Sequence, residues 1–127
     1  MNTPTAHAAL RSAWTSEREA ARGAKQRRDR AGEWAHLERA HIVSQPMAGL
    51  HVRTHFAMLG YGIRHHDAKE IIGQLVRLAV AGPGSLTGRY PAGNTGGAGI
   101  SALRPMPIPS DLRALLEDLA PAAMETR

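Results

Sequence analysis

The stretch HLERAHIVSQPMAGLHVRTHFAML, residues 36–59, places helix-like apolar repeats on both sides of a proline. The repeating residues are Trp34, Leu37 and Ala40 before the proline and Val52, Phe56, Leu59 and Ile63 after it. A spacing of three to four residues is typical of one face of an α-helix, so we expect both stripes to pack inward. Pro46 disfavours the helical conformation of the residue before it, so the first helix should end near Gln45. The stretch therefore predicts a helical hairpin.

The same periodicity extends over most of the chain. The predicted helices cover residues 7–28, 31–45, 48–61, 67–81 and 110–120. Asp67 is placed to cap the fourth helix, whose apolar side includes Ile71, Ile72 and Leu75. The GPG at 82–84 should end that helix, and residues 82–109 are rich in glycine and proline, which predicts a long loop. The sequence thus predicts an all-α fold in a single domain, 1–127: a small antiparallel bundle of four helices, a long Gly/Pro-rich loop and a short C-terminal helix.

Composition narrows the class of protein. The chain has 127 residues and no cysteine, which excludes disulfides, thiolate metal sites and cysteine nucleophiles. No apolar run approaches the ~20 residues of a membrane helix. The N-terminal residues also lack the pattern of a secretory signal. We expect a soluble, cytoplasmic protein with no membrane partner.

Positive charge is concentrated in REAARGAKQRRDR, residues 18–30, and the whole chain carries a net charge of +5. A basic segment can contact phosphates, but no helix-turn-helix, zinc-finger or aromatic RNA-binding pattern accompanies it. The segment is more typical of a solvated helix surface. Nucleic acid is therefore disfavoured as a partner.

Helical phase selects among the histidines of residues 36–59. An α-helix advances about 100° per residue, which places His41 beside Leu37 on the inner side of its helix and turns His36 nearly the opposite way. On the following helix, His51 and His55 are four residues apart and so lie on one side. Four side chains remain as candidate metal ligands: Glu38, His41, His51 and His55.

Phase also sets aside the His66–Glu70 pair. Glu70 shares its side of the fourth helix with Gln74 and Arg77, away from the apolar residues, so we expect it to face solvent. The loop segment GNTGGAG lacks the Lys-Ser/Thr that ends a phosphate-binding loop. We expect it to be a structured loop in which Asn94 and the glycines adopt positive φ.

Imidazole and carboxylate ligands suit Zn, Fe, Ni or Cu. The ExxH of Glu38 and His41 is half of a di-iron carboxylate pattern, and the HxxxH of His51 and His55 has Val52 where a zinc protease carries glutamate. Neither signature is complete, and the sequence contains no catalytic motif. Whether the protein is an enzyme stays open. The sequence predicts a small soluble protein that binds a transition-metal ion for storage, sensing or redox chemistry.

A second interpretation accounts for the same residues. His41, Glu38 and Gln45 can form a buried hydrogen-bonded cluster that fixes the register of two helices and binds no metal. The protein would then be a non-enzymatic interaction module with an exposed apolar groove for a protein partner. A homodimer is compatible with either interpretation.

Two parts of the sequence resemble known protein families. AGEWAHLERAH, residues 31–41, resembles the first helix of a tetratricopeptide repeat, with Trp34, Leu37, Glu38 and His41 where that motif has Trp, Leu, Gly and Tyr. The chain shows no 34-residue period, so this resemblance implies a repeat-like hairpin only. HLERAHI, HVRTHFAML, GQLVRL, GNTGGAGIS and PMPIP together resemble a family of small bacterial proteins classed as a domain of unknown function, from about Trp34 to Leu116. That resemblance implies membership and no activity.

Overall fold

The computed structural model describes residues 3–87, 91–100 and 104–119. Within these ranges it contains five α-helices and no β-strand. The helices are α1 (Thr3–Gln26), α2 (Arg30–Ser44), α3 (Ala48–Arg64), α4 (Ala68–Thr87) and α5 (Ser110–Leu119). The predicted all-α class is confirmed.

One half of the molecule is built on an apolar core. α1 packs against α2, and α5 lies across both. The buried residues of this core are Leu10, Trp14, Ala40, Ile42, Val43, Leu50, Leu112 and Leu116. The Trp14 indole N–H donates to Thr54 Oγ1 at 2.8 Å, which satisfies its only polar atom and ties α1 to α3. This half follows the usual rule that aliphatic side chains are buried between amphipathic helices.

The turns between helices follow local sequence signals. Asp29 caps α2 by accepting a hydrogen bond from the Gly32 N–H at 2.9 Å. α2 ends at Ser44, one residue before the end predicted from Pro46. The predicted cap of α4 is confirmed, because Asp67 Oδ1 accepts from the Glu70 N–H at 3.0 Å.

α4 continues through residues 82–84 to Thr87, six residues beyond its predicted end. Glycine and proline cost about 1 and 3 kcal/mol in a helix interior. These are local costs, and the surrounding structure can outweigh them. The glycines and the proline therefore weaken the end of the helix without setting where it stops.

α3 and α4 form the second half. α3 buries Leu50, Met58 and Tyr61 against α1 and α2, whereas α4 turns its polar side inward. Three apolar residues of α4 are largely exposed, Ile72 (64%), Leu75 (55%) and Val76 (61%), as are Phe56 (58%) and Ile63 (54%) of α3. The buried polar side of α4 consists of Glu70, Gln74 and Arg77. The prediction that Glu70 faces solvent is therefore wrong, and so is the prediction that Phe56, Ile63, Ile72 and Leu75 pack inward.

The loop at residues 91–100 explains this reversal. It lies between α2 and α4 and presents backbone groups to the polar side chains of both helices. Gln45 donates to the Pro91 carbonyl at 3.0 Å and accepts from the Gly93 N–H at 3.2 Å. Glu70 accepts from the Ala98 N–H at 3.0 Å, and Arg77 donates to the Ile100 carbonyl at 2.5 Å. Because the loop supplies these partners, the polar side of α4 is buried beneath it.

Two glycines of the loop adopt positive φ, Gly93 (+78°) and Gly96 (+87°). Asn94 does not, and on this point the prediction is wrong. Its side chain crosslinks the loop instead, donating from Nδ2 to the Arg104 carbonyl at 2.7 Å and accepting at Oδ1 from the Gly96 N–H at 2.9 Å. In the part of the chain that the structure describes, no helix has the length and apolar character needed to cross a bilayer.

Candidate metal centre

Three histidines converge where α2, α3 and the glycine-rich loop meet. His41 comes from α2, and His51 and His55 come from successive turns of α3. Their residues are 3%, 5% and 2% exposed, respectively. The Nε2 atoms lie 3.0 Å apart for His41 and His51, 3.1 Å for His41 and His55, and 3.2 Å for His51 and His55. These three residues are hereafter called the histidine triad.

The tautomer of His41 follows from the partner of its other ring nitrogen. Nδ1 lies 2.6 Å from the Asn94 carbonyl oxygen. A carbonyl only accepts hydrogen bonds, so Nδ1 carries the proton. In the neutral ring, Nε2 then presents an unprotonated lone pair to the other two histidines.

The same reasoning applies to His55 through Gln74, which is fully buried. His55 Nδ1 lies 2.6 Å from Gln74 Oε1. The amide orientation is fixed, because Gln74 Nε2 donates to the Gly96 carbonyl at 2.8 Å and to Glu70 Oε1 at 2.6 Å. Gln74 Oε1 is therefore the acceptor and His55 Nδ1 the donor, which leaves His55 Nε2 with its lone pair.

The side of the triad between His41 and His55 consequently lacks a proton. Nε2 of His41 and Nε2 of His55 face each other without a hydrogen between them. Burial lowers the pKa of His41 well below its usual value, and the nearby imidazoles of His51 and His55 lower it further. Burial also lowers the pKa of His55. Such a group of imidazole nitrogens can hold a metal ion.

The spacing of the nitrogens suits one ion. Zinc binds histidine nitrogen at about 2.0–2.1 Å, so an ion at that distance from all three atoms would stand about 1 Å from their plane. Cis ligands of a divalent ion lie about 2.9–3.4 Å apart in octahedral or tetrahedral geometry, given metal–nitrogen bonds of this length. The separations of 3.0–3.2 Å fall inside that range.

Glu38 does not belong to this group of ligand atoms. It precedes His41 by three residues, which turns it about 60° around the helix, toward the loop. It lines a pocket of about 260 Å³ together with Trp34, Tyr61, Glu70 and Thr95. Burial raises the pKa of Glu38. The structure thus brings together three of the four predicted ligands, and the hydrogen-bond partner of His41 Nδ1 is the Asn94 carbonyl and not Glu38.

His36 lies away from the triad, as its helical phase predicts. Its Nδ1 is 2.7 Å from Glu17, and Arg39 donates to the same carboxylate at 2.7 Å. This ion-paired group links α1 to α2 at the surface. His36 therefore contributes to the α1–α2 contact.

Gln74, Glu70 and Gly96 surround the triad and were missed as site residues. The sequence shows Glu70 and Gln74 as polar residues one helical turn apart. Their polarity, however, predicts that this side of α4 faces solvent. Gly96 could not be recognised from spacing. A Cβ on Gly96 would lie 2.7 Å from His41 Cδ2, so the loop backbone rests directly on the imidazole and leaves room only for glycine.

Comparison with known proteins identifies the family of the chain. No curated protein and no solved structure matches the chain. A family model described as "Protein of unknown function (DUF3703)" matches residues 8–116. The match covers most of the chain, including all three histidines, the glycine-rich loop and Gln74. The chain belongs to the DUF3703 family.

Proposed function

We propose that this protein binds one transition-metal ion through the Nε2 atoms of His41, His51 and His55. The observation that carries the proposal is the convergence of three buried Nε2 atoms in the histidine triad, two of which present lone pairs. Two of the three rings are fixed by hydrogen bonds with Nδ1 protonated and Nε2 directed inward. Metal-bound histidines are typically held in this way, with the second ring nitrogen donating to a carbonyl or carboxylate.

A purely structural hydrogen-bonded cluster accounts less well for this geometry. Such a cluster needs a donor between each pair of facing nitrogens. The protons of His41 and His55 point away from the centre, so the pair formed by these two rings has none. A buried acceptor without a partner costs about 1–3 kcal/mol. A cation among the three nitrogens removes that cost by accepting the lone pairs.

The ligand set favours particular ions. Neutral imidazole suits Zn, Ni, Cu(II) and Fe(II), whereas Mg and Ca prefer oxygen. The chain has no cysteine, so no thiolate draws the preference toward Cu(I). Three protein ligands leave at least one coordination position for water or another small ligand. The deep burial of the triad favours retention of the ion, as in storage or buffering.

Equilibrium dialysis of the untagged, chelator-treated protein against Zn, Ni, Cu(II) and, without oxygen, Fe(II), followed by elemental analysis, tests the proposal. We expect one ion per chain for the wild type and none for His51→Ala/His55→Ala. The matched control, His36→Ala/His66→Ala, removes two histidines outside the triad and should keep one ion. His55→Asn serves where the double variant loses its helical circular dichroism. The proposal fails if the wild type binds no ion or if the triad variants bind as much as the control.

Glu38→Gln separates the triad from the larger ligand set that the sequence predicted. With three histidines as ligands, the variant should bind one ion with an affinity within a few-fold of the wild type. A loss of binding would place Glu38 among the ligands and would require the loop to rearrange around the ion.

A further inference from the structure

Four arginines lie together along one flank of the molecule. At about 100° per residue, Arg11, Arg18 and Arg22 fall within an arc of about 40° on α1. Arg53 of α3 joins them at Trp14, whose ring centroid is 5.1 Å from the guanidinium carbon of Arg53 and 5.9 Å from that of Arg18. We call these four arginines the arginine stripe. From Arg11 to Arg22 the stripe is about 17 Å long at 1.5 Å per residue.

The stripe brings like charges together with little compensation from acids. Burial lowers the pKa of Arg18, and the guanidinium groups of Arg22 and Arg53 lower it further. Glu33 acts in the opposite direction, but its carboxylate already accepts from Arg64 at 3.1 Å. None of the four arginines forms an ion pair with a carboxylate of the described residues. Like charges at short range repel each other, so an anion among them is favoured.

The stripe also has hydrogen-bond donors to offer such an anion. Arg18 Nε is buried and has no partner among the described residues, while the side chains of Arg11, Arg22 and Arg53 are exposed. A cleft of about 510 Å³ lies between Arg11 and Arg53 and is also lined by His7 and residues 46–50. The planar guanidinium carries five N–H donors and pairs well with the oxygens of a phosphate group. The available donors therefore suit phosphate.

The shape of the stripe favours a linear polyanion. Arg11, Arg18 and Arg22 follow one side of a helix, so their charges are arranged along a line. Double-stranded DNA carries one phosphate per 3.4 Å of axis on each strand, so about five lie within a length of about 17 Å. Trp14 is 7% exposed beneath two guanidinium groups, so the stripe lacks the exposed aromatic platform on which single-stranded bases stack. These features favour the backbone of a duplex.

The exposed apolar side chains of α3 lie on another side of that helix. Thr54 marks the side of α3 that faces α1, because its hydroxyl accepts from the Trp14 indole N–H. At about 100° per residue, Phe56 and Ile63 are turned about 160° and 180° from Thr54. A helix that lies on an anionic membrane combines a basic face with an apolar face that enters the lipid. This separation disfavours a membrane as the partner of the stripe.

We propose that the arginine stripe binds the phosphate backbone of double-stranded DNA without regard to base sequence. The helix-turn-helix, zinc-finger and aromatic RNA-binding patterns that the sequence lacks serve to read bases, whereas contacts to phosphates carry no sequence information. The chain's net charge of +5 favours the same partner. The proposal is independent of whether the triad binds a metal.

The test is the fluorescence anisotropy of a labelled ~20-base-pair DNA duplex titrated with the wild type and with Arg11→Ala/Arg22→Ala. Both side chains are exposed, so the variant should keep its helical circular dichroism. The matched control, Lys69→Ala/Arg104→Ala, removes the same charge at exposed positions outside α1 and α3. If the stripe variant loses its helical signal, Arg22→Gln/Arg53→Gln replaces it.

We expect the wild type to bind with a dissociation constant of about 1–100 µM at ~150 mM salt. Each phosphate contact contributes about −0.9 to the slope of log K against log salt, so four arginines predict a slope of about −3 to −4. The stripe variant should lower the magnitude of this slope by about 2 and weaken binding at least ~10-fold at ~50 mM salt. The control should bind within about threefold of the wild type and with the same slope.

Four results would each overturn the proposal. The first is no binding of the duplex by ~100 µM wild type at ~50 mM salt. The second is an equal loss of affinity in the control and the stripe variant. The third is binding to vesicles with ~30% anionic lipid but not to the duplex, as a membrane-surface helix would show. The fourth is tighter binding to a single strand of the same length, which would point to stacked bases.

Discussion

The two halves of this molecule differ in the kind of side chain that they bury. α1, α2 and α5 bury aliphatic side chains such as Leu10 and Val43, which are 0% exposed. The α3–α4 hairpin buries His51, His55 and Gln74 and exposes Phe56 and Leu75. Stability alone explains the aliphatic core of the first half, while α2 also directs His41 and Gln45 toward the loop. In the second half, polar groups are buried at a cost unless every donor and acceptor has a partner. The loop at residues 91–100 supplies partners to Glu70, Gln74 and Arg77. The two halves therefore differ in what the burial of their side chains costs.

The contrast predicts different costs for the same substitution in the two halves. Leu10→Ala empties a fully buried site and should lower the free energy of unfolding by about 2–5 kcal/mol. Leu75→Ala removes the same atoms from a side chain that is 55% exposed and should cost within about 0.5 kcal/mol. Urea denaturation measures both values. Equal costs would show that α4 is packed on both sides within one chain.

Gly96→Ala tests the contact between loop and triad. The added Cβ would lie 2.7 Å from His41 Cδ2, and the backbone has a φ of +87°. We expect a loss of about 2–4 kcal/mol, from overpacking and from the strained left-handed conformation together. Gly99→Ala is the control, since its Cβ meets nothing within 4 Å. If thermal and urea denaturation give the same stability for both variants, the loop does not rest on His41.

Gln74→Met keeps the size of the side chain and removes the acceptor of His55 Nδ1. We expect a loss of about 1–3 kcal/mol, because the buried N–H keeps no partner. The affinity for metal should also fall about 10- to 100-fold, since His55 is no longer held in its tautomer. Gln26→Met on the surface of α1 is the control. Unchanged stability and affinity in Gln74→Met would mean that the amide does not orient His55.

The metal-free protein should lose stability as the pH falls below about 6.5, the usual pKa of histidine in an unfolded chain. Burial lowers the pKa of His41 and His55 in the folded state. Between the folded and unfolded pKa values, the unfolded chain therefore binds more protons, and acid favours unfolding. Urea midpoints at pH 7.5 and 5.5 measure the effect, and His36→Ala/His66→Ala should show the same decrease. A midpoint that is constant or higher at pH 5.5 would contradict neutral, buried imidazoles.

Local and periodic signals predicted the first half and the turns well. Pro46 and Asp67 marked helix ends close to where the structure has them, because caps and proline act over a few residues. Helical phase also placed His41, His51 and His55 at one seam. Phase gives relative directions around a helix and does not say which direction is inward, so the usual assumption that apolar residues are buried reversed α4. The contacts of Gln74 and Gly96 depend on a loop that returns across 22 residues of sequence, and no spacing rule predicts such a return.

Crystals of the protein loaded with zinc, analysed by anomalous diffraction at the zinc edge, test the central claim most directly. We expect one anomalous peak per chain, about 2.0–2.1 Å from Nε2 of His41, His51 and His55 and with Gln74 still hydrogen-bonded to His55. A peak at Glu38 and Glu70, or no peak within the triad, would contradict the account.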